Sequence, residues 1–189
     1  MNKLLYILII ALVISCKNSN EGKTIIRIET TKGDITAELY PDKAPLTVAA
    51  FLKNIKEGIY NNSSFYRVVK SDPLPNDHNT GIIQGGVYGS GKEYDKIPHE
   101  STKVSGLSHT TGILSMARLE AGTASTEFFI CIGDQSPLDY GRRGTADSLG
   151  MAAFGKVIDG MDVVRKIQNE PSSGDRFIKP IVIKKVSIE

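Results

Sequence analysis

The stretch Gly86-Val87-Tyr88-Gly89-Ser90-Gly91-Lys92-Glu93 has residue types that suggest chemistry, since glycines followed by lysine can cradle phosphates. Here Glu93 replaces the Ser or Thr that such a loop needs for magnesium, and its charge would repel phosphate. No helix is expected before Pro98, so the stretch reads as a glycine-rich surface loop and no nucleotide is expected. His78, His99 and His109 lie in loop-like contexts without metal-ligand spacing and read as surface or turn histidines; neither a metal nor a cofactor is expected. Ser108-His109 are merely chain neighbours, and hydrolytic triads are defined by geometry rather than adjacency. Cys131, inside Phe128-Phe129-Ile130-Cys131-Ile132, reads as a core filler rather than a nucleophile. Arg67, between aromatic and β-branched neighbours in Phe65-Tyr66-Arg67-Val68-Val69, reads by itself as an edge-strand charge.

The elements that would carry these residues are short. Thr24–Thr30 and Asp34–Tyr40, joined across Lys32-Gly33, predict a β-hairpin. Pro41 and Pro45 punctuate a turn. Val48, Phe51, Leu52 and Ile55 then fall on one face of a helix that Thr47 can cap and Gly58 can stop. Strands are predicted at Phe65–Val69, Ile82–Gln84, Ile113–Met116, Glu127–Ile132, Ala152–Val157 and Ile181–Ile188. A second helix covers about Met161–Ile167, with Val163, Val164 and Ile167 inward. Ser71–Thr80 and Gly141–Gly150 read as exposed inserted loops. Many short strands and two helices predict a mainly β fold, a closed barrel with helices over its ends.

Composition narrows the partners. The 189 residues are 40% hydrophobic and 23% charged, with a net charge of +2. Removing Lys3 with residues 1–15 leaves +2 − 1, or +1, so there is no basic excess to suit a nucleic acid. Lys3 precedes an apolar run, Leu4–Ile14, too short to span a bilayer but suited to an export signal. Val13-Ile14-Ser15-Cys16 resembles a bacterial lipoprotein boundary, with Cys16 acylated as the new N-terminus. The expected organisation is a signal peptide over 1–15, the lipidated Cys16 and a polar tether over 16–23, and one domain over 24–189. With Cys16 lipidated, Cys131 stands alone and no internal disulfide is expected.

Five blocks carry more weight together than apart: Phe65-Tyr66-Arg67-Val68-Val69; Ile83-Gln84-Gly85-Gly86; Gly112-Ile113-Leu114-Ser115-Met116-Ala117-Arg118; Phe128-Phe129-Ile130; and Phe154-Gly155-Lys156-Val157 followed by Gly160-Met161. Their order and spacing resemble the cyclophilin family of prolyl isomerases, from about Thr24 to Glu189 and without a gap from Gly112 to Leu138. The resemblance implies a closed eight-stranded antiparallel β-barrel capped by two α-helices. It also implies isomerisation of X–Pro bonds in proline-containing polypeptides, by a monomer.

Rotation about an X–Pro bond faces a barrier of about 18–20 kcal/mol set by amide resonance, so no nucleophile, metal or cofactor is required. The need is a fixed donor for the imide nitrogen as it becomes pyramidal, which a guanidinium suits. The resemblance gives that role to Arg67, beside Gln84, with Phe129 as the floor of a proline pocket and Ile82 and Leu138 as walls. Ala117 and Arg118 match positions that offer backbone hydrogen bonds to the peptide, and Met151 falls near another binding position. Several residues depart from the family pattern. Glu127 stands where glutamine is usual and is expected to draw Arg67 into an ion pair. Gly81 stands where a wall phenylalanine is usual. Pro137 replaces an aromatic and bears on affinity for the cyclosporin class. Altered or reduced activity follows, and the alternative is a proline-peptide binding module with little turnover. The N-terminus places the protein in the cell envelope, lipid-anchored to a bacterial membrane on the periplasmic side or at the outer membrane, assisting folding of exported proteins.

Overall fold

A computed structural model describes residues 23–189. The predicted signal peptide, Cys16 and most of the tether lie outside the described residues. The strands are β1 Thr24–Thr30, β2 Gly33–Leu39, β3 Ser63–Lys70, β4 Gly81–Gly86, β5 Ile113–Met116, β6 Phe128–Ile132, β7 Ala152–Asp159, β8 Ser172–Ser173 and β9 Arg176–Ile188. The helices are α1 Pro45–Lys56, α2 Thr102–Ser105 and α3 Met161–Gln168. The strands hydrogen-bond in the order β1-β2-β7-β5-β6-β4-β3-β9, all antiparallel, and β1 pairs back onto β9 to close the ring. Eight strands therefore form a closed barrel without free edges; β8 only lengthens a hairpin with β9.

Side chains alternate across this wall. Inward positions such as Ile28, Ile35, Phe65, Ile83, Leu114, Phe128, Ile130 and Phe154 fill the interior. α1 closes one end with Val48, Phe51 and Ile55; the Phe51 ring sits 5.0 Å from Tyr60, 5.4 Å from Phe128 and 4.8 Å from Phe154. α3 closes the other end, burying Val164 and Ile167, with Val163 packed against the core. A separate apolar cluster of Ile82, Leu107, Ile113, Phe129, Cys131 and Ala153 lies on the outer face of β4, β6, β5 and β7. That outer face, rather than the barrel interior, carries the site.

Two local expectations need correction. Thr47 does not cap α1 as its N-cap: the N-cap is Ala44, and Pro45 opens the helix. Glu100 does the capping from a distant loop, accepting from the Leu46 and Thr47 amides at 3.1 and 2.7 Å and from the Thr47 hydroxyl at 2.6 Å. His109 is not a surface histidine but is fully buried.

Candidate active site

One row of directly opposed residues crosses the outer wall. Arg176 of β9 faces Arg67 of β3, Arg67 faces Gln84 of β4, Gln84 faces Phe129 of β6, and Phe129 faces Ser115 of β5. Opposed residues in antiparallel strands share a face, so register alone gathers side chains from five strands. A register shift between Phe65 and Arg67 turns Tyr66 outward beside Arg67, while Phe65 stays in the core. The row opens into a groove of about 800 Å³, a size that suits a peptide segment. Arg67, Gln84, Phe129, Ile82, Ala117, Arg118, Glu127, Leu138 and Met151 all line it. Every residue the sequence singled out for the site within the described chain is therefore brought together.

Arg67 is held from two sides. Its Nη1 donates to Gln84 Oε1 at 2.9 Å, and its Nε donates to Asp175 Oδ2 at 2.7 Å. The remaining guanidinium donors are left for the groove. Gln84 is itself oriented, because its amide donates to the Tyr66 hydroxyl at 2.7 Å, and that hydroxyl donates to Glu127 Oε2 at 2.6 Å. The expected Arg67–Glu127 ion pair does not form. Glu127 instead anchors the far end of the chain Arg67–Gln84–Tyr66–Glu127, fixing which end of the Gln84 amide points at Arg67. Burial pushes the Glu127 carboxyl up, against hydrogen bonds from Tyr66, Thr126 and the Val87 backbone. Burial, with Glu127 adding, also raises the Tyr66 phenol, which therefore remains a donor. Gly86 makes room for this carboxylate: a Cβ there would lie 2.5 Å from Glu127 Oε1.

The apolar end is built on Phe129, 2% exposed, with Ile82, Leu138 and Met151 around it. Behind Phe129 stands His109, its ring stacked at 6.0 Å and 16°. His109 Nδ1 donates to Asp139 Oδ1 at 2.6 Å, and Nε2 accepts from the Ser115 hydroxyl at 2.9 Å. Burial lowers the His109 pKa, outweighing the pull of Asp139 and favouring the neutral ring. Burial alone would raise Asp139, but hydrogen bonds from Ser108 and His109 bring it below the usual carboxylate range. Ser115 is fully buried, so this Asp–His–Ser line supports the pocket floor and presents no nucleophile. Cys131 is buried in the same outer cluster, and burial raises its thiol, as a core filler requires.

Arg118 lines the groove, but its side chain, 2% exposed, is committed elsewhere. It donates bidentately to Asp147 at 2.8 and 2.9 Å and reaches the Gly150 carbonyl at 2.6 Å. This clamps the inserted loop 141–150 beside Leu138 and Met151 and leaves only backbone groups of Arg118 for a peptide. Gly81 leaves no open gap where a wall side chain is missing. Its φ is +137°, and a Cβ would fall 2.0 Å from the Val69 carbonyl oxygen; Val69 itself lines the groove. The sequence reading missed Tyr66, Tyr88, Arg176 and Asp175. Asp175 lies 108 residues from Arg67, and no local pattern announces that contact.

The family described as cyclophilin type peptidyl-prolyl cis-trans isomerase matches residues 25–188. The chain belongs to the cyclophilin family. It is 37% identical over 147 residues to peptidyl-prolyl cis-trans isomerase B of Escherichia coli, covering 76% of this chain and 84% of that protein. It is 36% identical over 155 residues to a peptidyl-prolyl cis-trans isomerase of Acinetobacter baylyi, covering 80% and 76%. A crystal structure of a cyclophilin type isomerase from Cryptosporidium parvum superposes with a TM-score of 0.72 at 28% identity, over 88% of this chain and 98% of that one. A second structure of that protein, in the presence of the dipeptide Ala-Pro, gives 0.71, again at 28% identity, over 87% and 98%. The barrel, closed by eight strands, is that of the family, and the chain is a peptidyl-prolyl isomerase of cyclophilin type.

Proposed function

We propose that Arg67 drives the isomerisation by donating to the imide nitrogen of a prolyl bond whose ring rests on Phe129. Supporting this is the fixed guanidinium, braced by Gln84 and Asp175, at the edge of an apolar pocket. A positioned donor aimed at developing lone-pair density contributes about 10²–10³-fold in rate. Gln84 orients Arg67 and touches peptide backbone, Ala117 and Arg118 offer main-chain hydrogen bonds, and Ile82, Leu138 and Met151 enclose the ring. Glu127 acts through Tyr66 and Gln84 rather than on the substrate bond. Peptide exchange rates measured for wild type and Arg67→Ala test this reading. The variant should lose about 10²-fold or more of the acceleration; retention of most of it removes Arg67 from the mechanism. No acceleration by either protein would favour a proline-binding module instead.

We further propose that the protein acts on exported or envelope proteins as they fold, as a monomer tethered through a lipid on Cys16. The reading rests on the apolar run Leu4–Ile14, which ends in the boundary Val13-Ile14-Ser15-Cys16 at a sharp rise in polarity. Two or more acyl chains give stable anchoring where one is marginal. Cys16→Ser should move the protein from membrane to soluble fractions, and equal membrane association of both forms rejects the tether.

A further inference from the structure

Arg176 forms the end of the row that the isomerase reading leaves unused. Its guanidinium sits 5.2 Å from the Tyr66 ring and 4.8 Å from the Tyr88 ring, and those two rings stack on one another at 5.0 Å and 24°. Tyr88 is 66% exposed and lines the groove. Among the described residues Arg176 forms no ion pair. Its chain neighbour Asp175 spends its carboxylate on Arg67 Nε, and Glu127 accepts from the Tyr66 and Thr126 hydroxyls. Arg176 is thus a cation that lines the groove, with a hydrogen-bonding edge left open.

The stack lowers the cost of using that edge. A guanidinium already held on aromatic faces loses little further freedom on binding, and its fork matches a carboxylate bidentately. Position also matters. Arg176 lies directly across β9 from Arg67, so about 5 Å separates their Cα atoms. An extended peptide advances about 3.3 Å per residue and returns to the same face every second residue. A side chain two residues from the proline therefore comes within reach of Arg176 when the imide lies at Arg67.

We propose that Arg176, on its Tyr66–Tyr88 platform, is a specificity subsite for an acidic side chain two residues from the isomerised proline. It rests on the isomerase reading of the groove and adds a substrate class to it.

Exchange spectroscopy tests it with proline peptides carrying Glu, Gln or Lys two residues before or two residues after the proline. Catalysed exchange and dissociation constants are read from the same samples. Wild type should favour Glu over Gln by roughly 2–5-fold at one of the two positions in low salt, as an exposed ion pair gives, and should disfavour Lys. The ratio should shrink at high ionic strength, fall to about 1 in Arg176→Gln and drop partway in Tyr88→Ala. A wild-type ratio of 1 at both positions, or one that survives salt or Arg176→Gln, overturns the subsite. If no peptide exchanges faster with enzyme, the isomerase reading itself fails. The Glu-to-Gln ratio of dissociation constants then still decides the subsite.

Discussion

Replacing His109 with leucine should weaken the protein more than any surface change, because the buried Ser115 and the partly buried Asp139 lose their bonds together. Leucine fills much of the ring's volume but offers no hydrogen bonds. The fully buried Ser115 hydroxyl would lose its 2.9 Å contact to Nε2, and Asp139 would lose its 2.6 Å bond from Nδ1. Asp139 keeps the Ser108 hydroxyl at 2.5 Å and the backbone amide of residue 109 at 3.0 Å, and solvent reaches part of it. An orphaned buried polar group costs about 1–3 kcal/mol, so the two losses sum to about 2–4 kcal/mol, with Asp139 at the low end. For a chain of this size each kcal/mol lowers Tm by about 2–4 °C, giving a fall of roughly 5–15 °C by circular dichroism. Phe129 would also lose the ring stacked behind it, so prolyl exchange should slow in parallel. The pH dependence supplies a second measure. Folded His109 has a lowered pKa, so its neutral form stabilises the fold fully above the unfolded value of about 6.5. As pH falls below that value the unfolded chain takes up a proton that the folded one refuses. Stability then drops at up to about 1.4 kcal/mol per pH unit until the folded pKa is reached. The lowered Asp139 pKa adds its own loss only below about pH 4, so between pH 6.5 and 4 the two contributions separate. His109→Leu should show a shallower slope than wild type across that window. A Tm within about 2 °C of wild type, with identical slopes, would refute the assignment of this network as support for the pocket floor.

Arg118→Met keeps an apolar stem but releases Asp147 and the Gly150 carbonyl, so loop 141–150 should become sensitive to limited proteolysis and KM for prolyl peptides should rise more than kcat falls. Unchanged proteolysis would show that the loop holds itself. Gly81→Ala should cost about 3 kcal/mol or more in denaturant unfolding, since a Cβ there meets the Val69 carbonyl oxygen at 2.0 Å from a conformation that L residues avoid.

How far the sequence carried depends on whether the signal was local. The hairpin of β1 and β2, the amphipathic face of α1 and the apolar run of β6 follow from two- and 3.6-residue periods, and each stands within a residue or two of its predicted place. The row from Arg67 through Gln84 to Phe129 was readable because each member sits in a distinctive block. Other features had no such signal. The alternation of the final strand is imperfect and predicts it only from Ile181. In the fold it begins at Arg176, because the register against β3 slips between Ile181 and Arg176 and the ladder does not need an amide from Pro180. α2 spans four residues, too few for a period to show. The isolated His109 carried no motif, and its burial follows from packing by Phe129, Ser115 and Asp139, none of which is its immediate neighbour in sequence. Asp175 and Tyr66, which settle where Arg67 and Glu127 point, became visible only once the strands were set side by side.

Because buried side chains fill the barrel and its working surface is an external trench, a proline-containing chain can lie across the wall from the side. Nothing has to be threaded, and neither end of that chain need be free. A proline deep within a long polypeptide is then as accessible as one near a terminus, provided a short stretch around it is extended. Selectivity falls to the few residues flanking that proline, and the rest of the bound chain remains in solvent.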